Sequence, residues 1–301
     1  MTANSSNALI ATYTTSEIRA WSQFIDNTLI NGGWLHTSDT GQADLTTIVT
    51  ASQNAASGYK IYQSDDALTD LFVKMEFGYA YANTGGPAGS TQSCPGLWIT
   101  IGTGSNGSGT ITGTLFARML LTTYTPSQYA NANAAAYSFG SAGTSWFNLA
   151  LWLDLATPLP LVFCLERRKN SSQADVDTGI VVNCIAYRAV NGTYTRTSQC
   201  IPFTGSVPAA QSGFPALLST DNPVQFDGKQ QAGLIRPFIG YADPPCLGIA
   251  LCNSSDLVSY VTNTLAINSV NHTYRQCGPN ITGLRHGHSA ETVTRLLLRY
   301  E

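Results

Sequence analysis

Residues 71–78 read LFVKMEFG and residues 97–113 read LWITIGTGSNGSGTITG, continuing as TLFARML over 114–120. Leu71, Val73, Met75 and Phe77 share one side of an extended chain, with Lys74 and Glu76 on the other. Leu97-Trp98-Ile99-Thr100-Ile101 and Ile111 to Met119 alternate in the same way. Alternation with a period of two is the mark of strands that bury one face of a sheet. Gly102 to Gly109 lies between the last two strands and is built from residues that accept positive φ, so it reads as a hairpin connection. The stretch from Asp70 to Leu121 therefore predicts a three-strand antiparallel meander around which the first half of the chain packs.

The same glycines spell GxGxxG over Gly102 to Gly107, the dinucleotide-binding pattern. That motif works when a helix begins at the last glycine and its N-terminal amides hold a pyrophosphate. Here Thr110-Ile111-Thr112-Gly113-Thr114 follows, β-branched and alternating, and no Lys-Ser/Thr completes a phosphate loop. The hairpin reading is preferred.

Outward from this centre, composition bounds the class. The chain has 301 residues, 43% of them hydrophobic and only 11% charged, with a net charge of −3. Soluble domains average about 25% charged residues. Thr, Ser, Asn, Gln and Gly fill the polar quota, giving a surface with little charge repulsion and a bias toward association. A nucleic-acid-binding surface would need clustered Lys and Arg. The one basic cluster, Arg167-Arg168-Lys169 beside Glu166, reads as a solvated strand end. The N-terminus lacks a basic-then-apolar signal design, and Asp154, Pro158 and Pro160 break the longest apolar run, so the expectation is a chain made in a cytoplasm with no membrane insertion. Seven cysteines without a close CxxC pair argue against a zinc knuckle or a disulfide scaffold. Cys164 and Cys184 read as small core residues.

In chain order, Thr14 and Glu17 fit a capping box. Ile18, Trp21, Ile25 and Leu29 then recur at helical spacing, with Phe24 alongside, until Asn31-Gly32-Gly33. Leu45 to Val49 is β-prone, and Tyr59 to Gln63 is a strand closed by Ser64-Asp65-Asp66. Residues 79–95, 122–143 and 202–229 read as long loops or excursions that clasp neighbouring subunits. Trp146 to Leu153 and Leu159 to Arg167 are apolar without clean alternation, as expected of strands buried on both faces. Asn191-Gly192 is the strongest two-residue hairpin signal and joins Ile180–Val190 to Tyr194–Ile201. Short strands are expected at Leu234–Gly240, Leu247–Leu251, Leu257–Thr262, Tyr274–Cys277 and Thr292–Tyr300. The sum is a mainly β protein: an antiparallel β-sandwich, in one or two sandwich-like halves, with one N-terminal amphipathic helix and long loops. The expected organisation is 1–165 as helix plus meander half and 166–301 as second β half, with the loop-rich linker at 202–229.

Candidate chemistry is sparse. The histidines are His36, His272, His286 and His288. No Gly-x-Ser-x-Gly elbow accompanies them. His286-Gly287-His288 is a two-ligand metal fragment without an identifiable third ligand. Glycoside hydrolysis needs two carboxylates across a cleft. Glu76, Asp154, Asp175, Asp177, Asp227 and Asp243 are available, but no spacing selects a pair. Glu76 reads as a cross-strand ion-pair partner with Lys74, and Asp65 and Asp66 as turn residues. Trp98, Tyr79 and Tyr81 are candidate sugar-stacking aromatics. No catalytic, cofactor-binding or metal residues are assigned, and the protein is expected not to be an enzyme.

Asp65-Asp66-Ala67-Leu68, Phe72 to Gly78 and Leu97 to Gly113 resemble structural proteins of tailed bacteriophages, which carry a similar strand and glycine-rich hairpin. Gly33-Trp34 and Asp39-Thr40-Gly41-Gln42 are similar too. The likeness covers roughly the first 120 residues; beyond them only the composition is virion-like. It implies assembly and no active site: a virion component of the tail (collar, nozzle, fibre attachment or baseplate) built by symmetric self-association. The implied partners are copies of itself, other virion proteins and, for a receptor-binding module, a host surface glycan. A virion-associated polysaccharide hydrolase and a capsid decoration protein are the alternatives. The implied location is the virion.

Overall fold

The computed structural model describes residues 15–52, 55–80, 94–121, 136–153, 161–169, 174–188, 193–203, 211–212, 224–226, 230–235, 246–252, 262–267, 270–276 and 295–300. It is mainly β, with antiparallel sheets and one N-terminal helix. Helix α1 runs Thr15–Gly32, about five turns at 3.6 residues each. Its predicted stripe is buried: Trp21, Ile25 and Leu29 are fully shielded and Ile18 and Phe24 nearly so. Gly33, at φ 99°, ends it. The Gly33 amide donates to the Ile30 carbonyl and the Trp34 amide to that of Leu29, the paired closure of a Schellman motif. The expected N-cap, Thr14, lies outside the described residues.

The first sheet is a meander in the order β1 (Leu35–His36), β2 (Ala55–Gln63), β3 (Phe72–Ala80), β4 (Cys94–Ser105), β5 (Ile111–Leu120). The predicted inward face holds: Leu71, Val73, Met75, Phe77, Leu97, Ile99 and Ile101 have no exposed surface. Both edges are blunted. β1 has two residues, and β5 shifts register twice against β4. Leu45 to Val49 is not a strand. Residues 45–47 form a turn nucleated by Asp44, whose carboxylate accepts from the Thr46 amide and hydroxyl. The β-prone Leu45 and Ile48 instead dip into the core.

The second sheet is ordered β11 (Gln211–Ser212), β10 (Thr193–Pro202), β9 (Asp175–Arg188), β8 (Leu161–Lys169), β7 (Trp146–Leu153), β6 (Ala136–Gly143). Phe147, Leu149, Phe163, Leu165, Ile180 and Val182 join the residues of α1 and the first sheet in one core. The opposite side of the same strands is buried as well, through Trp146, Ala150, Val162, Cys164 and Val181. This two-sided burial explains the missing alternation. The expected boundary at 165/166 falls inside β8.

The excursion expected over 122–143 is in part a strand. Residues 136–143 are β6, and 122–135 lie outside the described residues. Its small residues have a packing reason: a Cβ on Gly140 would stand 3.1 Å from Phe24 and Thr28, and one on Gly32 2.5 Å from the Ala142 Cβ. Only a floor of Gly and Ala lets α1 lie this close to the sheet. The Trp34 indole donates to the Gly143 carbonyl at 2.8 Å and fixes the crossing.

The third sheet is ordered β12 (Val224–Phe226), β13 (Gln230–Ile235), β14 (Cys246–Cys252), β17 (Arg295–Arg299), β16 (Val270–Gln276), β15 (Thr262–Ile267). The strand expected at 234–240 overlaps β13 at Leu234 and Ile235, with 236–240 outside the described residues. The one expected at 257–262 overlaps β15 at Thr262 alone, with 253–261 outside the described residues. The loop expected over 202–229 contains β11 and β12. The third sheet meets the outer face of the second: the Ser141 hydroxyl and the Asn148 amide both donate to the Arg299 carbonyl.

Candidate functional site

The GxGxxG stretch is the chain's only nucleotide-like motif, and the fold uses it internally. β5 rather than a helix follows it. Gly107 and Gly109 adopt φ of 76° and 90°. The Asn106 side chain accepts from the Ser108 and Thr110 amides, closing the turn on itself. The remaining amide concavity is filled by a carboxylate from this chain: Asp39 accepts from the Gly109 amide at 3.1 Å and the Ser105 hydroxyl at 2.7 Å. Thr40 donates its amide to the Gly107 carbonyl, and Lys74, stacked over Tyr59, donates to the Gly109 carbonyl at 2.8 Å. Burial pushes the Asp39 carboxyl up, and bonds from Thr37, Ser105, Gly109 and Gly107 outweigh it, holding the group below the ordinary aspartate value. An anion-receiving turn has thus taken the protein's own anion.

The candidate carboxylates among the described residues are likewise engaged. Glu76 pairs with Arg118 at 2.7 Å rather than with Lys74. The Arg118 guanidinium lies 4.7 Å over the Trp98 ring. Trp98 is only 5% exposed, so the expectation of a free stacking platform there is corrected: its ring already has a cation on it. Tyr79 is half-buried, and Tyr81 lies outside the described residues. Asp177 accepts from the Thr69 amide, and the hydrogen bonds from Thr69 hold its carboxyl below the ordinary value. Asp175 is half-buried on β9. Asp154, Asp227, Asp243, His286 and His288 lie outside the described residues, while His272 is buried on β16. Cys164 is a buried core residue outside any disulfide, as expected, and the side chain of Cys184 is not among those described.

The basic cluster overturns its expectation. Glu166 and Arg167 are completely buried, not solvated. Being adjacent on β8, they point to opposite faces. Arg167 faces inward and clamps the β2–β3 connection. Its Nε and Nη2 donate to the Asp66 carboxylate, and Nη2 also to the Ser64 hydroxyl and the Thr69 carbonyl. Ala67, the one non-glycine residue at positive φ among the described residues, sits in that connection. Glu166 faces outward, where its two oxygens accept from the Leu247 and Gly248 amides at 2.9 and 2.7 Å.

One cluster combines solvent access with reactive side chains. Asp26 of α1 accepts on Oδ1 from the Tyr62 hydroxyl at 2.9 Å and meets His36 Nε2 at 2.6 Å. The His36 side chain is 39% exposed. Burial, then the Asp26 charge and hydrogen bond, raise the Tyr62 phenol well above its ordinary value, so it stays a donor. A carboxylate–imidazole pair can shuttle a proton, but neither a nucleophile nor a third metal-ligating group joins it among the described residues. What the cluster does structurally is tie helix to sheet. It was not legible in the sequence, since its members come from three elements with no shared spacing.

The described polar clusters hold backbone and elements together, and none assembles a reaction centre. Compared with models of protein families, with curated proteins and with solved structures, the chain matches none.

Proposed function

We propose that this chain is a non-enzymatic structural protein of a tailed-bacteriophage virion, a tail component that works by symmetric self-association. The observation that carries this reading is the Gly102–Gly109 turn. The one nucleotide-like motif closes on Asp39 and serves the fold, which supports an architectural role over a nucleotide-dependent one. The phage-like likeness of residues 65–113 supports the same role, as does a surface low in charge and rich in Thr, Ser and Gly. The mechanism is mechanical: sheet faces and loops bury against neighbouring copies, and copy number follows from position in the particle.

The test is the absolute mass of the purified protein by light scattering behind a sizing column. A discrete ring of six or twelve copies is the expected result for a collar, nozzle or baseplate position; a trimer moves the reading to a fibre. A strict monomer at every concentration, including in the presence of phage tails lacking this protein, overturns it.

A further inference from the structure

The second and third sheets meet along a seam unlike the core between the first and second. Glu166, with no exposed surface and no ion pair among the described residues, receives the Leu247 and Gly248 amides. Ser141 and Asn148 both donate to the Arg299 carbonyl. Gly248 lies flat on the second sheet: a Cβ there would run into the Cys164 sulfur and stand 3.0 Å from Asn148 Oδ1 and 3.1 Å from Glu166 Oε2. The Arg299 guanidinium covers the Trp146 ring at 4.7 Å. These are directional keys that fix one register and orientation. The seam also leaves polar capacity unmet, since Asn148 Oδ1 and Arg299 Nε are buried without a hydrogen-bond partner among the described residues. Unsatisfied buried groups weaken an interface relative to an apolar core. Trp21 Nε1 and Arg167 Nη1 are likewise buried without a partner on the inner side of the second sheet, so the directional polar keys, not the unmet groups, set this seam apart. A third sheet that lifted would uncover Trp146, Cys164 and the buried Glu166 carboxylate, so the seam must be refilled.

We propose that this seam is the self-association surface, filled in the assembled state by exchange: the third sheet of one copy docks on the second sheet of its neighbour. The inference rests on the self-association reading above and names its partner, a second copy of this chain. Each of these keys is satisfied identically within one chain or between two, which is the condition for exchange. The covalent tie permits it as well. From Ser212, the last residue of β11, twelve peptide steps lead to Val224 of β12, a reach of up to about 40 Å. That is several times the roughly 10 Å that separates packed sheets.

The test uses the full chain carrying Gly248→Cys, which sets a second thiol against Cys164. Equal amounts of isotope-labelled and unlabelled chains are refolded together and oxidised, and the linked peptides are read by mass spectrometry. Exchange predicts that about half of the links between position 248 and Cys164 join a labelled chain to an unlabelled one. Links confined to single chains within an oligomer overturn exchange and leave self-association standing; links confined to single chains in a monomer overturn both. Should Gly248→Cys not fold, a specific protease site placed between residues 213 and 223 of the otherwise native chain gives the same reading. Native mass spectrometry of the nicked mixture then shows bodies and third sheets of unlike isotope in one unit under exchange, and matched isotopes only without it.

Discussion

Gly109 shows how much one position can carry. Its φ of 90° disfavours any side chain, and a Cβ would strike the Tyr59 hydroxyl and ring. Gly107 has a similar φ of 76° but open space around it. The two therefore separate backbone strain from steric conflict. Gly107→Ala should cost only the left-handed penalty, about 1–2 kcal/mol. Gly109→Ala should cost more than about 2 kcal/mol, because Tyr59 and its bond to the Thr40 carbonyl must move too. Denaturant unfolding of the pair checks this, and equal losses would show that Tyr59 yields freely. Asp39 gives a pH signature at the same turn. Its folded value lies below the unfolded one, so its contribution is fully present above about pH 3.9 and is lost as pH falls through the folded value. Between about pH 4 and pH 2 the native protein should lose stability more steeply than Asp39→Asn. Asp44 and Asp177 shift in the same direction, so the comparison with the variant isolates Asp39.

At the scale of elements, the β2–β3 connection hangs on Arg167. Removing one member of a buried ion pair strands the other, typically at about 3–5 kcal/mol, while replacing both with apolar groups costs far less. Arg167→Met should therefore be strongly destabilising, and Arg167→Met combined with Asp66→Leu should recover most of the loss. A double-mutant cycle in denaturant measures it; additive losses would mean that the Ser64 and Thr69 contacts, not the pair, hold the clamp. This contact also marks the limit of sequence reading. Helix α1 and the β3–β5 meander were legible because their periods, 3.6 and 2, are written locally. Asn191-Gly192 marked the hairpin of β9 and β10 but not its register: Thr193 pairs with Arg188, so the connection is four residues, 189–192, rather than two. Arg167 and Asp66 are 101 residues apart, and adjacent charges at a strand end look solvated until the layers on both sides are known, the first covering Arg167 and the third Glu166. β6 was hidden for a related reason. Gly140 and Ala142 are poor strand residues chosen for the close approach of α1, a tertiary demand that overrides propensity. The Asp26–His36–Tyr62 tie, drawn from three elements, left no local trace at all.

At the scale of the molecule, the layers differ in what holds them. The first and second sheets share an apolar core with α1. The third joins through directional polar keys. Local opening follows such differences. Native-state hydrogen exchange should release the amides of β14 and β17 before those of β3 and β4, and uniform protection across all three sheets would contradict the ranking. Deleting residues 136–143 should abolish folding, read as loss of the cooperative unfolding transition, since β6 is the strand on which α1 rests.

The blunted margins of the first sheet have a further consequence. A row of unpaired backbone groups is a template on which another chain can zip, yet here one margin is two residues long and the other is kinked twice. Chains can therefore crowd together without seeding one another into cross-β fibres through that sheet. Under the proposed self-association, growth would then be governed by recognition between faces rather than by runaway addition of strands.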